Sequence, residues 1–306
     1  MPGYAESSLA LVAPQGQLAS ADWLGWLAQF GLEQKAEYVK LDLAPEQALE
    51  RLGALAELVR KGVGVFVPVF RPVSLEPDSL ALLVELRPPW VGVALPRPSE
   101  AEAQDSAWWT AQYAGLEALH SAMAEARLEL ALEPAGWLNS ALALGVARRR
   151  ALRGLKIALD PLVELRQGLL PKKSFERAKP LLAELICSEA RLRLDAEGLS
   201  LEPAPLGQGL AAVADLLPGP AEGLTGPALT VASQSPSAGP LESARWQASR
   251  LEELLGQAAK EGKLLLAASR ASGDKGYAIY RGAQSESRLA EDLAWLRQRL
   301  GTGASN

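Results

Sequence analysis

Short apolar segments recur eight times along the chain, and a longer stretch with helical spacing follows each of them. The segments are 6 to 9 residues long and rich in Val, Leu or Ile, which is typical of strands covered on both faces. The predicted strands are Leu9–Pro14, Tyr38–Leu43, Val63–Phe70, Val91–Pro96, Leu128–Pro134, Leu155–Asp160, Ile186–Leu194 and Ala228–Ser233.

The stretches between these strands have the periodicity of amphipathic helices. In the first of them, Trp23, Trp26, Leu27 and Phe30 recur at i, i+3, i+4 and i+7. Boundary signals predict later helices at Asp78–Leu86, Ser99–Ala126, Asn139–Ala151, Ser174–Leu185, Leu210–Leu217 and Leu241–Ala259.

Strict alternation of strand and helix predicts parallel strands joined by right-handed crossovers. Eight such units favour an α/β fold of the (β/α)₈ TIM barrel type, because an open sheet would expose two strand edges that nothing here blunts. A doubly wound sheet is the main alternative. The turn after the first strand contains only Gly16 where a nucleotide-binding fingerprint needs three glycines.

The C-terminal residues are predicted to be an appendage of this barrel. We assign residues 1–262 to the barrel and 263–306 to an extension, a turn plus the amphipathic helix Arg288–Leu300, that packs on it. In an alternative topology, Tyr277–Arg281 forms the eighth strand, Arg288–Leu300 is its helix, and Ala228–Ser233 is an insertion.

Charge and cysteine content limit the partners. The chain has 31 Lys and Arg against 36 Asp and Glu, a net charge of -5, so no nucleic-acid partner is expected. Cys187 is the only cysteine, no secretory signal stands at the N-terminus, and no apolar run approaches a membrane span. A cytoplasmic protein without a membrane partner is therefore expected, and a homodimer is left open.

Two acids stand at the ends of neighbouring predicted strands, where barrels carry their chemistry. Period-two alternation places Glu133 and Asp160 on the same faces as Ala131 and Ala158. If those faces point inward, the two carboxylates form a pair suited to acid/base catalysis or to a divalent metal. In the structural alternative each acid caps the next helix or pairs with a basic residue, and Asp160-Pro161 is indeed a good helix start.

Basic and polar residues also stand at predicted strand ends. Lys40, Arg71 and Arg191 could hold a phosphate or carboxylate group. Trp137 could stack on a sugar ring, and Gln234 ends the eighth strand. We predict these five residues as substrate-binding. The alternative is salt bridging of the basic residues with Glu133, Asp160 and Glu189.

Four stretches of the chain resemble the xylose isomerase-like TIM barrel superfamily, which includes sugar phosphate isomerases and epimerases. They are Leu128-Glu-Leu-Ala-Leu-Glu133-Pro, Leu155-Lys-Ile-Ala-Leu-Asp160, Arg193-Leu-Asp195-Ala-Glu-Gly198 and Leu206-Gly-Gln-Gly209. The resemblance implies that Glu133 and Asp160 match a metal-binding Glu of strand five and the Asp of an Asp-x-x-His motif of strand six. It also implies that Asp195 matches an Asp that follows a His in strand seven.

The same resemblance shows where the expected metal ligands are replaced. Val163 and Leu192 stand where the family has histidines, and Ala232-Ser233-Gln234 stands where it has a metal-binding Glu. The only histidine is His120, within the predicted fourth helix. One histidine and one cysteine cannot build a multi-histidine centre. We therefore expect no metal cofactor, with Mg²⁺ held by oxygen ligands alone left open.

Two hypotheses about function follow. In the first, the protein is an isomerase or epimerase that binds a small sugar or sugar phosphate, and Glu133 and Asp160 move a proton next to a carbonyl. In the second, it is a non-catalytic relative that keeps the barrel as a binding or assembly module, and salt bridges fill its mouth.

Overall fold

A computed structural model describes residues 9–13, 38–41, 56, 64–66, 68–69, 77–88, 90–134, 136–195, 198–217, 228–231, 239–241, 247–266, 291–292 and 294–295. The strands are β1 (Leu9–Ala13), β2 (Tyr38–Leu41), β3 (Gly64–Phe66), β4 (Pro68–Val69), β5 (Val91–Val93), β6 (Leu130–Leu132), β7 (Lys156–Leu159), β8 (Leu182–Cys187), β9 (Glu189–Asp195), β10 (Gly198–Ala204), β11 (Ala228–Val231), β12 (Gly239–Pro240) and β13 (Leu264–Leu266). The α-helices are α1 (Pro77–Leu86), α2 (Glu100–Gln104), α3 (Ser106–Glu125), α4 (Ser140–Ala147), α5 (Pro161–Arg166), α6 (Pro171–Ala178) and α7 (Ala248–Lys260).

The main sheet has the strand order of a barrel. Its strand order is β3-β2-β1-β11-β8-β7-β6-β5-β4, and each neighbouring pair in that order is parallel. The two ends of that order, β3 and β4, are separated in the chain only by Val67. The Cα atoms of Phe66 and Pro68, which flank Val67 in the chain, are therefore at most about 7.6 Å apart. Counted as one position in the order, β3 and β4 give eight parallel strand positions, the number found in a TIM barrel.

The eighth barrel strand is β11, which agrees with the predicted strand Ala228–Ser233. Leu229 pairs with Leu185 of β8 on one side and with Leu9 of β1 on the other. The alternative eighth strand at Tyr277–Arg281 lies outside the described residues, as does most of Arg288–Leu300.

The barrel wall is apolar on its outer face, where the helices pack. Leu130 and Leu132 of β6 belong to one buried core with Leu83 of α1 and Leu116 of α3. Ala131, which points the other way, lies instead in a small separate cluster with Trp90. Because side chains alternate along a strand, Ala131 and the residues in phase with it face the lumen.

A second sheet departs from the prediction after the seventh barrel strand. Its order is β12-β10-β9-β13, with β9 and β10 antiparallel and β13 parallel to β9. The predicted strand Ile186–Leu194 is therefore wrong as a unit, because the barrel strand ends at Cys187 and β9 begins a different sheet. Arg191 and Arg193 lie in this second sheet.

Two predicted helices also differ from the structure. The predicted helix Ser174–Leu185 ends at Ala178, and Leu182 already begins β8. The predicted helix Leu210–Leu217 contains only a single 3₁₀ turn at Val213–Asp215. The division into a barrel of 1–262 and an extension of 263–306 stays a prediction. In the described part of the chain, no helix has the length and apolarity needed to cross a membrane.

Candidate active site at the mouth of the barrel

Glu133 follows β6 at the carboxyl end of the barrel and is 5% exposed. Its backbone N–H donates to the carbonyl of Val93 at 2.8 Å, which continues the ladder to β5. Its carboxylate lies against the backbone of Gly92, where an added Cβ would stand 2.5 Å from Glu133 Oε1. Gly92 pairs with the inward-facing Ala131. The carboxylate of Glu133 therefore lies on the same side of the strand as Ala131, and it needs a glycine on the neighbouring strand.

Asp160 follows β7 on the neighbouring strand and is 2% exposed. Leu132 pairs with Ile157, so Glu133 stands level with Ala158 and Asp160 stands one pleat closer to the mouth. Asp160 Oδ1 accepts from the Leu162 amide and from the Ser188 hydroxyl, both at 2.9 Å. Asp160 is thus the N-cap of α5, which is the structural role that the sequence offered as the alternative to catalysis. Its catalytic role stays a prediction.

Trp137 lies in the loop after β6, and its indole is held by hydrogen bonding. Its Nε1 donates to the carbonyl of Leu95 at 3.0 Å, and its ring centroid is 6.5 Å from that of Trp109. Gln167 Nε2 donates to the carbonyl of Trp137, and Gln167 Oε1 accepts from Asn139. The indole therefore ties two mouth loops together, and its role in stacking on a ligand stays a prediction.

The structure describes the remaining predicted binding residues to different extents. Arg191 lies in β9 and donates to Gln208 Oε1 at 2.8 Å. Lys40 lies in β2, where it pairs with Val12 and Phe66. The side chain of Lys40 and the whole of Arg71 and Gln234 lie outside the described residues.

Glu189 is the first residue of β9, and a loop wraps around its carboxylate. The two oxygens accept from the amides of Ala211 at 3.0 Å and Val213 at 2.9 Å. An added Cβ on Gly209 would meet the carboxylate and would stand 2.6 Å from the Ala190 amide. The resemblance singled out the stretch Leu206-Gly-Gln-Gly209, and the sequence offered Glu189 only as an alternative salt-bridge partner. The structure shows that backbone amides are the hydrogen-bond donors to this carboxylate.

Burial raises the pKa of Glu189 from 4.5 to about 7, against the lowering effect of its amide donors and Lys263. The folded protein therefore keeps a proton that the unfolded chain releases between pH 4.5 and 7, so stability falls as pH rises through that window. We expect the free energy of unfolding of the Glu189→Gln variant to fall less steeply there, by at most about 1.4 kcal/mol per pH unit. Urea unfolding from pH 5 to 8 measures this, and equal slopes in both proteins would contradict it.

Glu164, on α5, is a buried carboxylate that the sequence reasoning missed. It is 1% exposed, and it accepts from the Ser140 amide at 2.6 Å, the Ser140 hydroxyl at 2.9 Å and the Ser174 hydroxyl at 2.5 Å. Burial raises its pKa, which these donors lower and the nearby Asp160 raises. Glu164 thus joins α4, α5 and α6 behind the mouth.

The described donors do not fit a multi-histidine metal centre. No three of the described His, Cys, Asp and Glu residues lie together as a metal-binding group. His120 lies on α3 with its pKa lowered by partial burial, and Val163 is fully buried on α5. The alignment of Leu192 and Asp195 with a barrel-strand motif is wrong, because both lie in β9 of the second sheet. The expected absence of a metal cofactor stays a prediction.

Among known proteins, the matches to this chain come from solved structures. No protein-family model matches it, and no curated protein does. A crystal structure of D-allulose 3-epimerase from Methylomonas sp. matches with a TM-score of 0.59 and 13% identity, over 98% of this chain and 100% of the enzyme.

Two further solved structures match with lower scores. A probable 3-DHS dehydratase, AsbF, from Bacillus anthracis has a TM-score of 0.52 and 13% identity, over 95% of this chain and 99% of its own. A xylose isomerase-like TIM barrel protein from Mycobacterium smegmatis, in complex with magnesium, has a TM-score of 0.51 and 14% identity, over 85% and 99%.

At such identities the likeness establishes the fold. The chain is a TIM barrel, and the order of its parallel strands agrees with that fold. Its fold is also similar to that of a xylose isomerase-like TIM barrel protein, which agrees in fold with the resemblance seen in the sequence.

Proposed function

We propose that the protein is an epimerase or isomerase of a small sugar or sugar phosphate, with Glu133 as the group that moves the proton. The Glu133 carboxylate takes a proton from the carbon next to the substrate carbonyl. The electron pair of the broken C–H bond passes into an enediolate, and a proton returns to carbon. Asp160, on the neighbouring strand, is the second acid, and no step of the reaction uses a multi-histidine metal centre.

The observation that carries this proposal is the placement of the Glu133 carboxylate in the lumen, over a glycine. A carboxylate buried to 5% at the end of a barrel strand lies where this fold concentrates its chemistry. Sugar 3-epimerases among the structural neighbours support the substrate class. Lys40, Arg71, Arg191, Trp137 and Gln234 are proposed to bind the substrate.

Hydrogen exchange tests the proposal whatever the product of the reaction is. The protein is incubated in D₂O with ketohexoses, ketopentoses and their phosphates, and the loss of the signal of the proton next to the carbonyl is followed by NMR. Catalysed exchange in at least one sugar is expected. The absence of exchange in all of them would overturn the proposal, whether or not a sugar shifts the melting temperature.

Replacing Gly92 by Ala tests the placement of the carboxylate without altering it chemically. The new Cβ would stand 2.5 Å from Glu133 Oε1, so the carboxylate must move. We expect turnover to fall about tenfold or more, because small displacements of a catalytic group are costly. Gly145→Ala is the matched control, since its Cβ meets nothing within 4 Å. Equal rates in the two variants would count against Glu133.

A non-catalytic binding module is the second candidate function. The hydrogen bonds to Asp160 favour it, because Oδ1 of this acid already caps α5 and accepts from Ser188. Under this hypothesis the sugar screen gives thermal shifts without any exchange of the proton next to the carbonyl.

A further inference from the structure

We propose that the C-terminal segment carrying Asp292 and Trp295 is a positioning element of the mouth. It holds the loop of residues 206–213 in the shape that lets Arg191 and Gln208 bind an anionic group of the ligand, such as a phosphate. This inference rests on the proposed function, and it assigns to the tail a role beyond packing on the barrel.

Asp292 is the first contact between the tail and the loop. Asp292 is only 4% exposed. Its Oδ1 accepts a hydrogen bond from the Leu206 amide at 2.9 Å, and the two residues are 86 positions apart in the chain. A buried carboxylate that accepts a buried amide proton is costly to remove, because the donor is left without its partner. The loop is therefore anchored where it begins.

Trp295 is the second contact, three residues further along the chain. Gly207 has φ +81°, and an added Cβ there would stand 2.7 to 2.9 Å from atoms of the Trp295 indole. The ring thus lies directly on the loop backbone, and Trp295 also packs against the main hydrophobic core. Only a glycine satisfies both the backbone angle and this close approach.

The far side of the same loop is held from β9. Glu189 accepts from the Ala211 and Val213 amides, and Gly209 leaves room for its carboxylate. The loop is thus fixed at residues 206–207 by the tail and at 209–213 by the second sheet. Its only exposed side chain between these anchors is Gln208.

Gln208 and Arg191 form a hydrogen-bonded pair, and the two anchors hold the loop that carries Gln208. Arg191 donates to Gln208 Oε1 at 2.8 Å, while its Nε is buried and has no hydrogen-bond partner in the described part of the chain. A buried guanidinium N–H without an acceptor is unfavourable, and a shift of this half-buried side chain toward a bound anion would supply the missing acceptor. Guanidinium groups suit phosphate because they offer several donors in one plane.

The first test removes each tail contact and reads the loop directly. Asp292→Ala and Trp295→Ala are compared with Glu291→Ala, whose side chain is exposed. Hydrogen exchange of peptides covering 206–213 is expected to accelerate about tenfold in the first two variants and not in the third. Affinity for inorganic phosphate, measured by calorimetry, is expected to fall about tenfold in parallel. Unchanged exchange, or faster exchange with unchanged phosphate affinity, would overturn the proposal.

The same measurements separate this inference from the proposed function. If wild-type protein binds no phosphate, the anion-binding role of Arg191 is wrong, whereas catalysed exchange in an uncharged sugar would leave the proposed function standing. If phosphate binds and responds to the tail but no sugar exchanges its proton, the positioning role stands and the proposed function fails.

Gly207→Ala tests the tail contact by addition instead of removal. Gly262→Ala is the matched control, because Gly262 has φ +67° with nothing within 4 Å of its added Cβ. Gly207→Ala is expected to lower the melting temperature by several degrees more than the control. In the Trp295→Ala background this excess is expected to disappear. An excess of the same size in both backgrounds would show that Trp295 does not press on the loop.

Discussion

Replacing Glu133 by Gln is expected to lower the exchange rate of the proton next to the substrate carbonyl at least about 100-fold, because a neutral amide cannot take that proton. The amide has nearly the same shape as the carboxylate, so it fits the space over Gly92. A melting temperature within a few degrees of wild type would show that the loss is chemical. The rate is measured in D₂O by NMR with whichever sugar the wild-type protein exchanges.

Glu129→Gln is the matched control for this variant. Glu129 lies four residues earlier in the chain, in phase with Glu133 along the strand, but it is exposed. We expect wild-type exchange from it. The double variant Gly92→Ala with Glu133→Gln should be no slower than Glu133→Gln alone, since the glycine acts through the carboxylate. Full activity in Glu133→Gln would refute its role.

The barrel was predictable because its strands are short, apolar and separated by helical periodicity. Val91–Val93 and Leu130–Leu132 are buried throughout. Continuous apolar runs of this kind are typical of parallel strands whose two faces are both covered. Alternation put Glu133 on the same face as Ala131, but which face points inward was left open by the sequence. The pairing of Gly92 with Ala131 could not be predicted in the same way, because strand register depends on packing across the sheet.

The boundary between the two sheets was hidden because no glycine or proline marks it. Cys187 ends the barrel strand and Glu189 begins β9, with only Ser188 between them. The end of α6 was predictable, since Pro180 stands inside the predicted helix Ser174–Leu185 and a proline there disfavours its continuation. That signal was missed because the apolar spacing continues past it.

The contacts that shape the mouth could not be predicted from the sequence for a different reason. Asp292 meets Leu206 across 86 positions, and Glu189 meets Val213 through backbone amides, which carry no sequence signature. Glu164 offered one cue, because it is a lone charge beside Leu162, Val163 and Leu165 on a helix that proved to be buried. A charge in such a position is rarely buried without partners.

Replacing Glu164 by Ala is expected to cause the largest loss of stability, about 3 to 5 kcal/mol. The carboxylate is 1% exposed, and its removal leaves the amide and hydroxyl of Ser140 and the hydroxyl of Ser174 without this acceptor. Each buried donor left unpaired costs about 1 to 3 kcal/mol. The free energy of unfolding from urea titration measures the loss.

Glu176→Ala on α6 is the control, since that side chain is exposed and its replacement should change the free energy of unfolding by less than about 0.5 kcal/mol. A double variant makes the test specific. Adding Ser174→Ala to Glu164→Ala should cost less than Ser174→Ala alone, because the hydroxyl it removes has already lost its acceptor. Strictly additive losses would mean that Glu164 and Ser174 do not act as a pair, and that this carboxylate does not join α5 to α6.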